Sequence, residues 1–339
     1  GLSPTLFHAR FRPVDRARIE GDVLARCGPG GARLGALVIA TQVVEQSLDL
    51  DFDLLFSDLA PIDLLLQRAG RLWRHERPRP EGCDRRLVVV EPGPHEVEAL
   101  HFGRSGRVYD VATLWLAHDS LAERGTVALP AAIRPLVEAT YDPDRRRSRI
   151  AAAPNRAALE GAEARRSADL ARRQDAAESV CIPPVTFEPR RLATFDDDEE
   201  EVRALTRDGE SERVLLVDWS PDGTARSIDG AEWATGLFDP ERPDGWRTAA
   251  ALADEIVSFP AWEWDLIERG SRPRGEHAEW ASFESQLLDF LERTGLGRVV
   301  PVPGRMREEG FIGHVERARG TRQRVTYSRD RGLEFAKEG

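Results

Sequence analysis

Residues 37–75 read LVIATQVVEQSLDLDFDLLFSDLAPIDLLLQRAGRLWRH, and this stretch limits what the chain can fold into. LVIA (37–40), LLF (54–56) and, further on, LVVV (87–90) are continuous apolar runs suited to buried parallel strands. Between them Pro61 opens a helical pattern, at a position where its missing N–H costs nothing. Pro92-Gly93-Pro94 then closes the segment. Strands alternating with helices imply an α/β fold with a parallel sheet, whose ligands sit where loops leave the strands. Within this frame Gln67, Gly70, Arg71 and Arg74 fit the pattern QxxGRxxR. The spacing i, i+4, i+7 places Gln67, Arg71 and Arg74 on one face of a helix. Two arginines on one face, beside a glycine that admits a phosphate, form a cationic comb for a triphosphate. An arginine reaching in from a neighbouring lobe stabilises the charge that builds up in phosphoryl transfer. A solvated Arg-rich helix explains the charges, but not the Gln, the Gly and the upstream Thr41–Asp49 element falling together.

Composition bounds the alternatives. At 339 residues, 41% hydrophobic and 32% charged, the chain reads as soluble and globular, with two domains as the soft expectation. No apolar run approaches a membrane span, and the N-terminus lacks a signal-peptide shape. Cys27, Cys83 and Cys181 are far apart, with no CxxC pair, which fits a reduced cytosolic (cytoplasmic) setting without structural zinc. The seven histidines show no ligand spacing; His118-Asp119 forms an HD dipeptide but sits on a helical pattern beside Trp115 and Leu121, so no metal site is expected. Of 48 Lys plus Arg only Lys337 is lysine, and no GxxxxGK[ST] phosphate loop can be built from it. The net charge of −11 argues mildly against an indiscriminate DNA-coating surface. Arginine is nevertheless clustered: seven between 68 and 86 against three acids, and eight between 305 and 331 against four, while Asp196–Glu201 is wholly acidic.

Further along, 99–182 reads helical, with Val111, Leu114, Trp115 and Leu121, then Ile133, Leu136 and Val137, at helical spacing. Residues 155–179 are Ala- and Arg-rich with few large apolar side chains, and read as a long exposed connector stopped by Pro183-Pro184. From 185 onward strands and helices mix. VLLVDW, a Ser220-Pro221-Asp222-Gly223 turn and TARSI suggest a hairpin; WRTAAALADEIVSF and WASFESQLLDFLERTG read as amphipathic helices; GFIGHVE and RQRVTYSR read as a closing strand pair. Six of the eight tryptophans lie here, and core packing is the simpler account of them than base stacking.

The motifs look like motifs V and VI of superfamily 2 helicases. LFHARF (6–11), Asp15-Arg16, ATQVVEQSLDLDFD and LAPIDLLLQRAGRLWRH together resemble the CRISPR-associated helicase–nuclease of type I systems. The likeness is specific over residues 6–75 and rests on a few phrases beyond. It implies an incomplete second RecA-like lobe over 1–98, a helical extension and linker over 99–184, and a separate α+β C-terminal accessory domain over 185–339. It further implies that Arg71, Arg74 and Gln67 serve catalysis, that Gly70, Asp49, Ser47 and Glu45 face the nucleotide, and that Thr41, Gln42 and Arg10 face nucleic acid. Thr41 also reads as a helix-capping threonine, and Asp51 and Asp53 as the polar face of a strand. ATP and Mg2+ are the implied cofactors, bound mainly by a first lobe outside this chain. The implied partners are single-stranded DNA, that first lobe and an RNA-guided effector complex (Cascade). Two alternatives stay open: the second lobe of a DEAH-type RNA helicase, and a non-catalytic strand-holding or effector-docking module. On either helicase reading the chain alone is expected to lack ATPase activity, because half a triphosphate cradle cannot orient the nucleophile.

Overall fold

The computed structural model of the chain describes residues 3–32, 35–45, 48–179, 211–220, 222–233, 237–239, 242, 244–260, 277–316 and 322–337. The described fold is mixed α/β, with two small parallel sheets and one larger mixed sheet. Its contacts divide the chain into two compact units: Gly1–Val23, Leu34–Val43 and Pro189–Gly339 form one, Leu24–Arg33 and Val44–Glu188 the other. This division cuts across the sequence boundaries drawn at 98 and 184. Strand β1 (Pro4–Phe7), helix α1 (Pro13–Cys27) and strand β2 (Leu37–Ala40) come first, followed by a 3₁₀ turn over Gln42–Val44. β1 and β2 pair in parallel, Pro4 opposite Leu37 and Phe7 opposite Ala40. LVIA is thus the expected parallel strand, but not a buried one: Leu37 and Ile39 are 42% and 52% exposed. A parallel strand is buried only when both of its faces are covered, and among the described residues β2 has β1 as its ladder partner.

In the Val44–Glu188 unit, β3 (Leu55–Asp58) leads through Pro61 into α2 (Ile62–Ala69), and β4 (Leu87–Val90) pairs with β3 in parallel. The helices α3 (Pro94–Glu98), α4 (Ser105–Val108), α5 (Val111–Ala122), α6 (Ile133–Tyr141), α7 (Pro143–Ala152) and α8 (Arg156–Ser179) follow. Two of their starts, those of α5 and α7, are fixed by short polar caps. The Asp110 carboxylate accepts the Thr113 N–H at 2.7 Å, and the Asp142 carboxylate accepts from Asp144 and Arg145 ahead of a Pro at the first helical position. One core gathers Ile62 and Leu65 of α2, Leu114 and Leu116 of α5, Leu136 of α6, Ile150 of α7, and Leu159 and Ala162 of α8. The first turns of α8 therefore belong to that core and are not exposed connector. Two buried side chains in a long polar sequence are too weak a pattern to read beforehand. Pro183-Pro184 and the acidic run at 196–201 lie outside the described residues.

The last region supplies an eight-stranded sheet. Its elements are β5 (Ser211–Trp219), β6 (Ala225–Arg226), β7 (Glu232–Trp233), α9 (Gly245–Glu255), β8 (Ile256–Pro260), α10 (His277–Arg293), β9 (Val300–Arg307), β10 (Gly310–Glu316), β11 (Arg322–Ser328) and β12 (Gly332–Lys337). The order is β12-β11-β10-β9-β5-β6-β7, with β8 also on β5. The hairpin after VLLVDW and the GFIGHVE/RQRVTYSR pair form as expected. EIVSF does not continue its helix: it turns into β8, pairing with β5 from Leu215↔Ile256 to Ser211↔Pro260. Its β-branched and aromatic residues pack better on a pleated surface, and Val257 and Phe259 are buried there. Gly304 and Gly313 face each other across β9 and β10, and the Phe311 ring lies where a Cβ on either would sit. Trp219, Trp233 and Trp280 are core residues, with Trp219 edge-on to Trp280 at 5.1 Å.

Residue 12 ties the N-terminal segment into this unit. The Arg12 side chain is 1% exposed. Its Nε donates to Asp15 Oδ2 at 2.8 Å, and its Nη1 to Glu255 Oε2 at 2.7 Å and Asp229 Oδ2 at 2.9 Å. The Tyr327 hydroxyl accepts the Arg12 N–H at 3.1 Å and donates to Asp15 at 2.5 Å. Burial alone would lower the Arg12 proton affinity, but Asp229, Asp15 and Glu255 outweigh it and hold the guanidinium charged. Removing the guanidinium leaves the carboxylates of Asp15 and Glu255, 6% and 14% exposed, without their cation. Arg12→Met is therefore expected to destabilise the chain by about 3–5 kcal/mol, read as a drop in the urea midpoint with the slope unchanged. A shift within about 0.5 kcal/mol, the range of an ordinary surface substitution, would contradict the assignment.

Candidate nucleotide-coupling site

The QxxGRxxR segment does not lie on one helix. α2 ends at Ala69, Gly70 caps it in a helical conformation, and the Arg71 and Leu72 N–H groups bond back to Arg68 and Ala69, tightening the last turn. The backbone then pairs sideways: Phe52 N–H donates to Arg71 O at 2.8 Å and Trp73 N–H to Phe52 O at 3.1 Å. Trp73 takes a positive φ of 49°. Gln67 and Gly70 are exposed at the helix end, while Arg71 and Arg74 stand on the loop after it. The long-range pairing to Phe52 overrides the helical spacing that put them on one face.

The loop nevertheless meets the Thr-element segment. The Arg71 guanidinium donates to the Leu48 carbonyl and lies 3.4 Å from the Glu45 carbonyl. Arg71 is held below its ordinary proton affinity by burial first and then by the charge of Arg74. Arg74 Nε pairs with Asp49 Oδ1 at 2.7 Å, and His75 Nε2 lies 2.9 Å from the same oxygen. Desolvation opposes ionisation of Asp49, but His75 and Arg74 overcome it and hold the carboxyl below its usual range. Glu45, Asp49, Arg71 and Arg74 are thus brought together. Ser47 lies outside the described residues.

Beneath them sits Asp51, whose side chain is 0% exposed. It takes Arg77 Nε at 2.9 Å, Arg79 Nη2 at 3.0 Å and the Arg74 N–H at 2.9 Å. Arg79 also reaches Asp53 at 3.0 Å and stacks its guanidinium 5.3 Å from the Trp73 ring centroid. Asp51 and Asp53 are therefore not the solvated face of a strand; they pair two arginines of the 68–86 cluster internally. Alternation of Asp with Leu and Phe hid this, since a local pattern says nothing of a partner 26 to 28 residues on. Arg68 was also not singled out by the motif: its Nε donates to Glu45 Oε1 at 2.8 Å.

The residues expected to face nucleic acid lie in the other unit. Arg10 follows β1 and Thr41 follows β2, so both stand beyond the C-terminal ends of adjacent parallel strands. Thr41 is exposed, and its N–H donates to Phe7 O at 3.2 Å. Gln42 opens the 3₁₀ turn and is half-buried. The Arg10 carbonyl accepts the Leu333 N–H at 2.8 Å, and its loop is braced by His8 stacked on Phe11 at 4.5 Å. In the Arg-rich tail, Arg305 donates to Trp219 O at 3.0 Å and Arg329 pairs with Asp229, while Arg324 and Arg331 are exposed. Arg317 and Arg319, with Trp262 and Trp264, fall outside the described residues. His118 stands 4.0 Å from Glu91. Among the described residues no helix is long and apolar enough to cross a membrane.

Comparison with known proteins bears on these residues. Residues 2–77 match the family described as CRISPR-associated nuclease/helicase Cas3, C-terminal. The CRISPR-associated endonuclease/helicase Cas3 of Thermus thermophilus is 41% identical over 294 residues, covering 79% of this chain and 31% of that protein. The crystal structure of T. fusca Cas3 with ADP superposes with a TM-score of 0.68 at 27% identity, over 98% of this chain and 36% of that one. A chain from a CRISPR RNA-guided surveillance complex, pre-nicking, gives 0.62 at 28% identity, over 98% and 37%. The chain thus spans about a third of the length of the relatives it matches.

The geometry makes the loop 73–79 depend on one buried carboxylate. Asp51→Ala leaves Arg77 with backbone carbonyls alone and Arg79 with Asp53 as its carboxylate, with an expected cost of about 3 kcal/mol. Local opening there is expected to expose the Arg74–His75 bond to limited trypsin cleavage before the remainder of the unit, since Pro78 and Pro80 protect the bonds after Arg77 and Arg79. Unchanged cleavage kinetics and an unchanged unfolding midpoint would contradict the dependence.

Proposed function

The chain belongs to the C-terminal portion of the Cas3-type CRISPR-associated helicase–nucleases, and from that premise we propose that it forms the second-lobe side of an ATP-driven translocase on single-stranded DNA. The observation that supports this best is the meeting of Arg71 and Arg74 with Glu45, Leu48 and Asp49, across 26 residues of sequence for the Glu45–Arg71 contact. Two guanidiniums on one loop, with Arg71 held below its ordinary proton affinity by burial and then by the charge of Arg74, suit a polyanion. Gln67 and Gly70, exposed at the end of α2, stand beside them to admit the γ-phosphate. Asp49, with Ser47 and Glu45 on the same segment, meets the ribose and couples the nucleotide to the strand. Thr41, Gln42 and Arg10 then hold the phosphate backbone of that strand, where hydroxyl, backbone N–H and guanidinium donors are the usual positioning contacts.

ATP is the substrate in this reading, and the guanidinium pair fits its phosphates. Mg2+ and most ground-state binding of the triphosphate fall to the first lobe of the complete protein, since the single lysine of this chain cannot form a phosphate loop. What this chain's residues contribute is stabilisation of charge on the phosphoryl group in flight and its linkage to DNA. The T. fusca relative solved with ADP and the relative in an RNA-guided surveillance complex support nucleotide use and docking on an effector complex. The C-terminal sheet with its exposed Arg324 and Arg331 is then the side that covers the strand or meets the effector.

Two measurements test the reading. In the complete protein, Arg71→Ala and Arg74→Ala are each expected to lower DNA-stimulated ATP turnover by roughly 10³-fold or more, with nucleotide affinity changed only a few-fold because the loss is confined to the transition state. Near-normal turnover in either variant removes the finger role from that residue. The chain by itself is expected to show no DNA-stimulated hydrolysis; measurable hydrolysis by a clean preparation would overturn the division of labour between lobes.

A further inference from the structure

Arg68 stands between the two conspicuous positions of the motif yet turns away from them. Gln67 is exposed, whereas the Arg68 side chain is 14% and that of Glu45 9% exposed. Arg68 collects partners from three elements. Nε reaches Glu45 Oε1 at 2.8 Å, Nη1 reaches Ser57 Oγ of β3 at 2.7 Å, and Nη2 reaches the Tyr109 hydroxyl, just before α5, at 3.1 Å. The same Glu45 is approached from its backbone side by Arg71, which also holds the Leu48 carbonyl. Glu45 is therefore fastened twice to the end of α2, by Arg68 through its side chain and by Arg71 through its carbonyl. Arg71 has no helix to fix its direction, because α2 ends two residues earlier. Its guanidinium is aimed by the carbonyls it grips, and one of them, that of Glu45, belongs to the residue whose side chain Arg68 holds.

We propose that Arg68 is a positioning residue that sets the aim of Arg71 by anchoring Glu45 to β3 and to the start of α5. This rests on the nucleotide-coupling reading of Arg71 given above. An aim lost by about 1 Å is enough to cost about 100-fold in rate without loss of binding.

The test is made in the complete protein. Arg68→Ala is expected to lower DNA-stimulated ATP turnover about 100-fold, with affinity for a fluorescent ATP analogue changed less than about threefold. Arg68→Lys, which keeps the charge on Glu45 but not the three-way geometry, is expected to recover about tenfold of that loss. In an Arg71→Ala background Arg68→Ala is expected to add nothing, because a residue acting only through another is non-additive with it. If folded Arg68→Ala turns over normally while Arg71→Ala is dead, the positioning role is overturned and the reading of Arg71 stands. Losses that multiply in the double variant also overturn it, since Arg68 would then act independently. Normal turnover in Arg71→Ala overturns both statements at once. Should Arg68→Ala fail to fold, Tyr109→Phe removes one hydrogen bond from the anchor. A fall in turnover of about fivefold supports the role, and an unchanged rate at unchanged stability overturns it.

Discussion

Arg12 holds a full charge at 1% side-chain exposure, and three carboxylates from positions 15, 229 and 255 converge on it. A buried ion is tolerated only when its hydrogen-bonding capacity is filled, so these partners cannot drift independently. The consequence reaches far along the sequence. The segment after β1, the turn after β6, the end of α9 and the Tyr327 hydroxyl of β11 all converge on this one residue or its Asp15 partner. That is why the first residues of the chain share a unit with the last hundred and more. Hydrophobic burial supplies the bulk of the sheet's stability, but it is indifferent to which strand lies beside which. The charge cluster is not indifferent, and it determines which segments meet.

The same logic acts in the other unit through a charge of opposite sign. Asp51 at 0% exposure collects Arg77, Arg79 and the Arg74 N–H, and through them fixes the loop that carries Arg74 to Asp49. Arginine is well suited to this use because its planar fork bonds several acceptors at once. It follows that an arginine-rich stretch is a poor guide to a nucleic-acid surface in this chain. Of the arginines at 68, 71, 74, 77 and 79, each is bonded to a carboxylate or a carbonyl of its own unit. The positive charge read along the sequence is largely internal wiring.

Elements whose evidence is local were legible beforehand. VLLVDW, GFIGHVE and RQRVTYSR carry strand patterning and form strands; Val111–Ala122 and Ile133–Tyr141 carry helical spacing and form helices. What failed was decided at long range. EIVSF follows a helical pattern without interruption, and only the free edge of β5 makes it a strand. The helix through Arg74 has ideal spacing, and only Phe52 breaks it. Of the site residues, Glu45, Asp49, Arg71 and Arg74 were named from motif wording and do meet, whereas Arg68 and Asp51 were not named for their roles. Their partners are 23 and 26 to 28 residues away, and no short pattern records such a pairing.

The early end of α2 changes what kind of device the arginines belong to. On a rigid helix Arg71 and Arg74 would move together with Gln67 as one body. Off the helix, their guanidiniums are held by Glu45, Leu48 and Asp49, while Phe52, Arg68 and Asp51 hold the backbone of Arg71 and Arg74. On the proposed reading, a nucleic acid that displaced Glu45 or Asp49 would shift groups that hold Arg71 and Arg74, and a phosphate drawing those guanidiniums away would act on Glu45 and Asp49 in turn. Thermodynamic linkage requires such an influence to be reciprocal for binding. The contacts that would carry it are short: Arg71 on the Glu45 and Leu48 carbonyls, Arg68 on the Glu45 carboxylate and Arg74 on that of Asp49.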